Sequence, residues 1–426
     1  MSHLTTNKQP GSRDETWGPD NDGRLSLYDV FKDQLDSTHT LLGALLLGNG
    51  DLLVASETEA KGYREFLIAK LNAFGERDQH FGEKGFVTGG FAPGTPAFSG
   101  EMTQGKDGRI YMFGVTGFVS SPDPEIAILC IDETGKRVES FGNNGQIIIE
   151  NKIDERVFYG ERRFIRVLED GDLLIGTNGA TGSARVETAY VMRFDANGNP
   201  VNTFGKDGVV DIKLPNAQAT TYLTSGCTLS DGRILIAGYA RPDGSTKSAM
   251  LAMLNPGGSP NLIFGDKETP GMRLITKPRF EIEFNAVTVR EAGKYMAAGS
   301  DTGPILQHSQ GLLVGFDDHG NNDPDFNSGT VLETSLRPGH ETNWDNIFVQ
   351  GQHVYVAGGI SGHYILLLGL NGQANPIFGN GGLVEENNTA FTPAFLMDYS
   401  SDRLLLASNG PGLDFNQGTV YRYYRA

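Results

Sequence analysis

The sequence predicts an all-β protein: a single seven-bladed β-propeller with four-stranded antiparallel blades. Three observations support this fold. An aromatic-Gly pair, a short polar turn, a further Gly and an apolar run recur seven times in intact or degraded form, and "TFGKDGVV" at 203–210 is one intact copy. A polar turn, usually with Gly, followed by four or five mainly apolar residues recurs in each interval, as in "DGRILIAG" at 231–238. Finally, the N-terminal region carries the strand that the last repeat lacks.

The aromatic residue of the first phrase sets the repeat length. Successive copies are 64 (17 to 81), 60, 63, 60, 62 and 52 (326 to 378) residues apart. Periods in this range are the signature of repeat architectures such as propellers. The aromatic positions are Trp17, Phe81, Phe141, Phe204, Phe264, Phe326 and Phe378.

Each repeat contains four strands, a to d. An Asp-Gly type turn joins strands a and b, a loop of variable length joins b and c, and the Phe-Gly phrase joins c and d. The apolar runs are too short, and too regularly separated by turns, to be helices. Four antiparallel strands per repeat are typical of a propeller blade. We expect the aromatic residue to fill the space between neighbouring blades.

The two ends of the chain complete one blade. "GTVYRYYRA" at 418–426 is a strand c without a Phe-Gly phrase after it, and "GRLSLYDVF" at 23–31 supplies a strand d. The N-terminal strand therefore closes the last blade in a three-plus-one arrangement, which leaves no open edge. The propeller is expected to span residues 16–426. Residues 1–15 are polar and are predicted to form a disordered tail.

The repeat resembles the delta-60 repeat family of bacterial β-propellers. The resemblance is carried by Phe-Gly-x-x-Gly-Val at Phe204–Val209 and by Asp-Gly-Arg-Ile-Leu-Ile-Ala-Gly at Asp231–Gly238. It extends from about Trp17 to Ala426 and is weakest at 312–335, where the turn Gly is replaced. The resemblance implies the fold, but it brings no common activity and no catalytic residues.

Composition restricts the partners. The charge is 35 − 52 = −17, and such an acidic surface repels phosphate backbones, which argues against nucleic acid and anionic membranes. No run approaches the 18 apolar residues of a membrane span. The two cysteines lie two blades apart, too far for a disulfide. Without an apolar leader segment, a cytoplasmic location is expected, with export by a leaderless route as the alternative.

Calcium is the one metal that the sequence suggests. Residues 316–329 read "FDDHGNNDPDFNSG", and carboxylate oxygens are the ligands that calcium prefers. The alternative is an Asp/Asn/Gly-rich c–d turn that faces water. The candidate ligands are Asp317, Asp318, Asp323 and Asp325. Otherwise no cofactor is expected.

The candidate binding surface is one rim of the propeller. The a–b and c–d turns repeat almost unchanged, whereas the b–c and d–a connections differ from blade to blade, and loops on a rigid scaffold usually carry function. An aromatic residue or His precedes strand a in each repeat: His39, Phe98, Tyr159, Tyr222, Phe284, Trp344 and Phe391 or Phe395. These side chains either pack between blades or ring the channel mouth.

Function is predicted from this rim. The leading interpretation is a non-catalytic binding or interaction protein whose partner is a small molecule, a glycan or a protein. The alternatives are a hydrolase or lyase acting at the channel mouth and a purely structural module of a larger assembly. The candidate ligand-binding residues are Tyr159, Arg162, Tyr222, Glu283, Phe284, His340, Trp344, Asp345 and His363.

Overall fold

The computed structural model describes residues 9–426 except 35–37, 61, 118–123, 151, 154–155, 182–185, 243–245, 305–307, 338, 360–361, 387–394, 401 and 411–416. Its strands form seven antiparallel sheets of four or five strands. The predicted seven-bladed β-propeller is therefore confirmed. No helix among the described residues is long and apolar enough to cross a membrane.

The elements follow the chain in order. Before blade 1 come β1 (Arg24–Ser26) and α1 (Leu27–Phe31). Blade 1 contains β2 (Gly43–Leu46), β3 (Leu52–Ala60), β4 (Tyr63–Leu71) and β5 (Phe86–Gly89). Blade 2 contains β6 (Ala97–Phe98), β7 (Met102–Gln104), β8 (Ile110–Thr116), β9 (Glu125–Ile131) and β10 (Gln146–Ile149). Blade 3 contains β11 (Lys152–Ile153), β12 (Arg156–Val167), β13 (Leu173–Thr181), β14 (Val186–Phe194) and β15 (Val209–Ile212).

The remaining blades have four strands each. Blade 4 contains β16 (Thr220–Thr228), β17 (Ile234–Arg241), β18 (Ser248–Leu254) and β19 (Met272–Ile275). Blade 5 contains β20 (Glu281–Glu291), β21 (Lys294–Thr302), β22 (Gly311–Asp317) and β23 (Leu332–Thr334), with a 3₁₀ turn at Asn327–Gly329. Blade 6 contains β24 (Trp344–Gln350), β25 (His353–Gly358), β26 (His363–Gly369) and β27 (Leu383–Glu386). Blade 7 contains β28 (Phe395–Ser400), β29 (Arg403–Gly410), β30 (Gln417–Tyr424) and, as its fourth strand, β1.

Closure occurs as the sequence predicts. Strand β1 pairs antiparallel with β30, and Leu25 lies opposite Val420. Both side chains are buried, 4% and 0% exposed, in the core between blades 7 and 1. Strand d of the last blade thus comes from the start of the chain, and the ring has no open seam.

Residues 9–15 differ from the expected polar tail, because they form the c–d turn of blade 7. The Gly11 N–H donates to the Tyr424 carbonyl at 2.7 Å and the Asp14 N–H to the Arg422 carbonyl at 2.8 Å. In blade 1 the corresponding turn has the same two bonds, from Gly75 to Asn72 and from Asp78 to Lys70. The propeller therefore includes residues 9–15, whereas residues 1–8 lie outside the described residues.

The repeated aromatic residues are inter-blade plugs. All seven side chains are between 0% and 3% exposed: Trp17, Phe81, Phe141, Phe204, Phe264, Phe326 and Phe378. The residue after each Phe donates its N–H to the c–d turn of the next blade, as from Gly82 to the Thr134 carbonyl at 2.7 Å. The last such bond runs from Gly379 to Pro10 at 2.9 Å and closes the ring.

The hydrophobic core is divided among the seams between blades. One buried cluster combines Phe113 of blade 2 with Ile165 and Tyr190 of blade 3, and each other seam has a similar cluster. Both cysteines are unpaired, and burial raises the pKa of the Cys130 thiol to about 12. A thiol with so high a pKa is a poor nucleophile.

Candidate functional site

We use "variable rim" for the end of the propeller that carries the b–c and d–a connections. Near this rim, strand a has a β-bulge in blades 4, 5 and 6. Directly before each bulge, an apolar residue pairs with a strand-b glycine: Leu223 with Gly238, Phe284 with Gly299 and Trp344 with Gly358. Each of these apolar side chains is 0% exposed.

Trp344 and Phe284 are therefore core residues, and their prediction as ligand-binding residues is wrong. The Trp344 indole N–H donates to Thr334 Oγ1 at 2.8 Å, and its ring packs in the cluster between blades 5 and 6. A Cβ placed on Gly311 would stand 2.2 Å from the indole nitrogen, so the ring fills this space completely. No ligand can stack on a side chain that is sealed in this way.

The residue preceding each buried one lies at the rim. These residues are Tyr222, Glu283 and Asn343 in blades 4, 5 and 6, and all three are partly exposed. Strand a is the innermost strand, so equivalent positions in successive blades lie side by side around the channel mouth. A phenol, a carboxylate and an amide therefore occupy equivalent positions of three successive blades, and two of the three were predicted site residues.

Blade 4 supplies partners for Glu283 and Tyr222. The Lys247 ammonium donates to Glu283 Oε2 at 3.1 Å and lies 4.4 Å from the centre of the Tyr239 ring. The Tyr239 and Tyr222 rings are stacked, with centres 5.1 Å apart and an 8° angle between planes. The "mouth cluster" is Tyr222, Tyr239, Lys247, Glu283 and Asn343.

Asn343 is held in a fixed orientation. Its Nδ2 donates to Asp345 Oδ1 at 2.7 Å, and its Oδ1 accepts from Asn285 Nδ2 at 2.9 Å. Asn285 also donates to the Trp344 carbonyl at 3.0 Å. The predicted residue Asp345 therefore acts by positioning Asn343, because one of its oxygens is occupied by that amide.

A second ion pair flanks the mouth cluster. Glu281 lies two residues before Glu283 on β20, and its Oε1 accepts from Arg241 Nη1 at 2.8 Å. Residues two apart in a strand project from the same face, with Cα atoms about 6.6 Å apart. Glu281 and Glu283 thus each pair with a cation of blade 4, and carboxylates beside aromatic rings are groups that can bind a sugar and transfer protons.

The remaining predicted site residues do not join the mouth cluster. His363 is 2% exposed, and its Nε2 lies 3.2 Å from the Asn409 carbonyl. Burial lowers the pKa of His363, which favours the neutral imidazole. His340 is exposed on the d–a connection between blades 5 and 6. Tyr159 and Arg162 lie on β12, but their side chains, like residue Phe391, fall outside the described residues.

Each of the four carboxylates of the candidate calcium loop has a partner within the protein, and Asp323 and Asp325 both lie within 4 Å of the Lys294 ammonium. Asp318 accepts from Arg233 at 2.8 Å, and Asp325 accepts from Lys294 at 2.7 Å. Asp323 is 2% exposed and pairs with Arg290. Asp317 caps its own turn by accepting from the Asn321 N–H at 2.9 Å. Within the described part of the chain, no cluster of three or more His, Cys, Asp or Glu side chains has metal-binding geometry.

Three members of the mouth cluster were missed by the sequence analysis. Tyr239 and Lys247 border the b–c loop of blade 4, and Asn343 precedes strand a of blade 6. If the repeats are aligned on the strand-b glycine, the residue paired with that glycine is the core residue and the residue before it is the rim residue. That glycine occurs in the phrase "AG" at the end of strand b in blades 4, 5 and 6.

Solved structures resemble the chain in fold. The polysaccharide lyase Uly1 matches with a TM-score of 0.54 and 10% identity, covering 90% of each chain. An ulvan lyase bound to a sugar matches with a TM-score of 0.49 and 10% identity, covering 92% of this chain and 94% of the lyase. An α-L-arabinanase of Penicillium chrysogenum matches with a TM-score of 0.44 and 12% identity, covering 78% of this chain and 94% of the arabinanase. No family model and no curated protein matches.

These comparisons correct the leading prediction of a non-catalytic binding protein. Uly1, the match with a TM-score of 0.54, is a polysaccharide lyase, and this likeness agrees better with the alternative of a hydrolase or lyase. At 10% identity the match to the lyase Uly1 establishes a shared propeller fold, and it transfers no catalytic residue.

Proposed function

We propose that this protein is a carbohydrate-active enzyme, a glycoside hydrolase or a polysaccharide lyase, with its site at the mouth cluster. The observation that carries the proposal is that Tyr222, Glu283 and Asn343 occupy equivalent, partly exposed positions in strand a of three successive blades. A carboxylate, a phenol and an oriented amide are the groups that bind sugar hydroxyls and move protons. The resemblance in fold to a polysaccharide lyase supports the same class of substrate.

Each residue has a distinct part in this proposal. The Tyr222 ring, held by stacking on Tyr239, is the aromatic surface proposed for a sugar ring. Glu283 is the proton-transferring group, and Lys247 holds its carboxylate in place through the 3.1 Å contact. Asn343, fixed by Asn285 and Asp345, orients a substrate hydroxyl.

The test is turnover of a panel of neutral and uronate-containing polysaccharides by the purified protein. A lyase product carries a new C=C bond next to a carboxylate and absorbs ultraviolet light. A hydrolase product gains reducing ends and takes up one oxygen from ¹⁸O-labelled water, without this absorbance. These two readouts distinguish the two reactions on the same sample.

The decisive variant is Glu283→Gln, which keeps the shape of the side chain and removes its proton-accepting charge. We expect kcat/KM to fall by about 10²–10⁴-fold, the usual contribution of a positioned acid or base. The control is Glu291→Gln, since Glu291 lies at the other end of the same strand, next to the a–b turn. Equal turnover by Glu283→Gln and the wild type would contradict the proposed site.

A further inference from the structure

Three blades carry an arginine at the same position of the repeat, two residues after the glycine of the c–d turn. Each arginine forms the same isolated antiparallel bridge with the end of strand c in its own blade. The pairs of glycine and arginine are Gly11 and Arg13 in blade 7, Gly75 and Arg77 in blade 1, and Gly135 and Arg137 in blade 2. Each guanidinium therefore starts from an equivalent point and extends toward the preceding blade.

Two of these arginines meet an acid of the preceding blade. Arg13 Nε donates to Glu386 Oε1 at 2.9 Å, and Arg77 Nη2 donates to Asp33 Oδ2 at 2.5 Å. The Glu386 carboxylate also accepts from the Tyr423 hydroxyl at 2.6 Å. In both seams, a charge-assisted hydrogen bond joins neighbouring blades.

The seam between blades 1 and 2 has no acid at the position that Glu386 occupies in the seam between blades 6 and 7. Glu386 stands eight residues after the plug Phe378, and eight residues after Phe81 the chain has Gly89 instead. A Cβ built on Gly89 would lie 3.4 Å from Arg137 Nη2, so a side chain at this position would face the guanidinium. The glycine leaves open the place that the Glu386 carboxylate occupies in the seam between blades 6 and 7.

Arg137 is left with neutral partners. Nη1 donates to Gln146 Oε1 at 2.5 Å and Nη2 to the Gly90 carbonyl at 3.3 Å. Its Nε–H, one of five donors of the guanidinium, has no acceptor among the described residues. Burial lowers the pKa of Arg137, and no described acid opposes that effect. A partly buried cation without a counter-charge gains free energy from an added carboxylate.

A cleft opens at this arginine. It has a volume of about 490 Å³ and lies between the start of β4, the connection after β5 and the c–d turn of blade 2. Tyr63, 40% exposed, contributes an aromatic ring to the lining. Asn143, Asn144 and Gln146 contribute side-chain amides, and Glu65 also lines the cleft.

We propose that this cleft binds a uronic acid residue of a glycan, with the sugar carboxylate on the Arg137 guanidinium. The guanidinium presents paired N–H groups that match a carboxylate. The Tyr63 ring offers a face to the sugar ring, and the amides of Asn143 and Asn144 suit its hydroxyls. An acidic peptide would use the cation but neither the ring face nor the amides.

This site goes beyond the proposed catalytic function. It lies at the outer side of the seam between blades 1 and 2, whereas the mouth cluster belongs to blades 4, 5 and 6. Its occupancy can be measured by binding alone, so its failure and the failure of the catalytic proposal are distinguishable.

The test is calorimetric titration of the full-length protein with trigalacturonate, maltotriose and triglutamate. We expect trigalacturonate to bind, with maltotriose and triglutamate each at least about 10-fold weaker. Arg137→Gln should weaken trigalacturonate binding by about 10–100-fold, the effect of losing a hydrogen bond to a charged group. Arg137→Lys should also weaken it, because a lysine keeps the charge and loses the paired donors.

The matched control is Arg77→Gln, which removes the arginine of the neighbouring seam at the same repeat position. It should leave trigalacturonate affinity within about twofold, although it breaks the contact with Asp33. Thermal melting of each variant shows that it is folded before titration. Absence of trigalacturonate binding, equal binding of triglutamate, or unchanged affinity in a folded Arg137→Gln protein would each overturn the proposal.

Discussion

The two rims of this propeller are built on different principles. The rim of the a–b and c–d turns has an aromatic plug and a polar turn in all seven blades, and in blades 1 to 6 the residue after the plug donates a hydrogen bond to the next blade. The variable rim has a different set of side chains at each seam, and its contacts there include partly exposed ion pairs such as Lys247 with Glu283. Residues at repeated positions therefore stabilise the fold, while residues at non-repeated positions are free to differ and to serve function.

The largest effect on stability is expected from the plug Phe204. Its side chain is 1% exposed between blades 3 and 4, and Phe204→Ala should cost about 3–5 kcal/mol of unfolding free energy because it leaves a cavity. The control is Phe74→Ala on a c–d turn, where the ring is 69% exposed and the change should stay within about 0.5 kcal/mol. Chemical denaturation measures the unfolding free energy of both variants. Similar losses for Phe204→Ala and Phe74→Ala would contradict the contrast between a buried plug and an exposed turn residue.

A smaller effect is expected from Asp14, which is 0% exposed in the turn that closes the ring. Arg403 Nε donates to its Oδ2 at 2.6 Å and Arg422 Nε at 3.0 Å. Burial alone would raise the pKa of Asp14, but hydrogen bonds from Thr16 and Arg403 and the charge of Arg422 lower it well below its usual value. At neutral pH, Asp14→Asn should cost about 1.5–3 kcal/mol, the worth of hydrogen bonds to a charged group.

The pH dependence of this effect follows from the lowered pKa. A carboxyl whose pKa is lower in the folded than in the unfolded state stabilises the protein above the unfolded value, about 4. That contribution is lost as the pH falls below this value toward the folded pKa. The difference in unfolding free energy between wild type and Asp14→Asn should therefore shrink between about pH 5 and pH 2. A difference that stays constant over this range would show that the charge of Asp14 does not contribute to the stability.

Most of the fold could be predicted because its stabilising features repeat. Seven aromatic plugs and seven turns gave the blade number, and the unpaired last strand c gave the closure. The turn at 9–15 was missed because the tail was judged by its polar composition. The spacing Gly11-x-x-Asp14-x-x-Trp17-Gly18 matches Gly258-x-x-Asn261-x-x-Phe264-Gly265 of blade 4, so the signal was present.

The candidate site was harder to predict, because a bulge decides which way a side chain points. In strand a of blade 4 the register shifts between Leu223 and Ser225. Side chains alternate along a strand, so an aromatic residue near such a shift can face either the seam or the channel. A shift of one residue along the chain exchanges the two orientations. Tyr222 is therefore partly exposed, whereas Trp344, predicted for the same role, is buried. The relation to the delta-60 repeat family stays a prediction.

The smallest effect on stability is expected at the mouth cluster. Glu283 and Lys247 have side chains 19% and 25% exposed, and an ion pair open to water contributes about 0–1 kcal/mol. Glu283→Gln should therefore melt within a few degrees of the wild type while losing turnover, the reverse of Phe204→Ala, which should lose stability first. Differential scanning calorimetry and the polysaccharide assay on the same preparations measure both quantities. If Glu283→Gln lowered the unfolding free energy by several kcal/mol, Glu283 would be a stabilising residue. The division between a stabilising rim and a functional rim would then be wrong for the residue on which the proposed function depends.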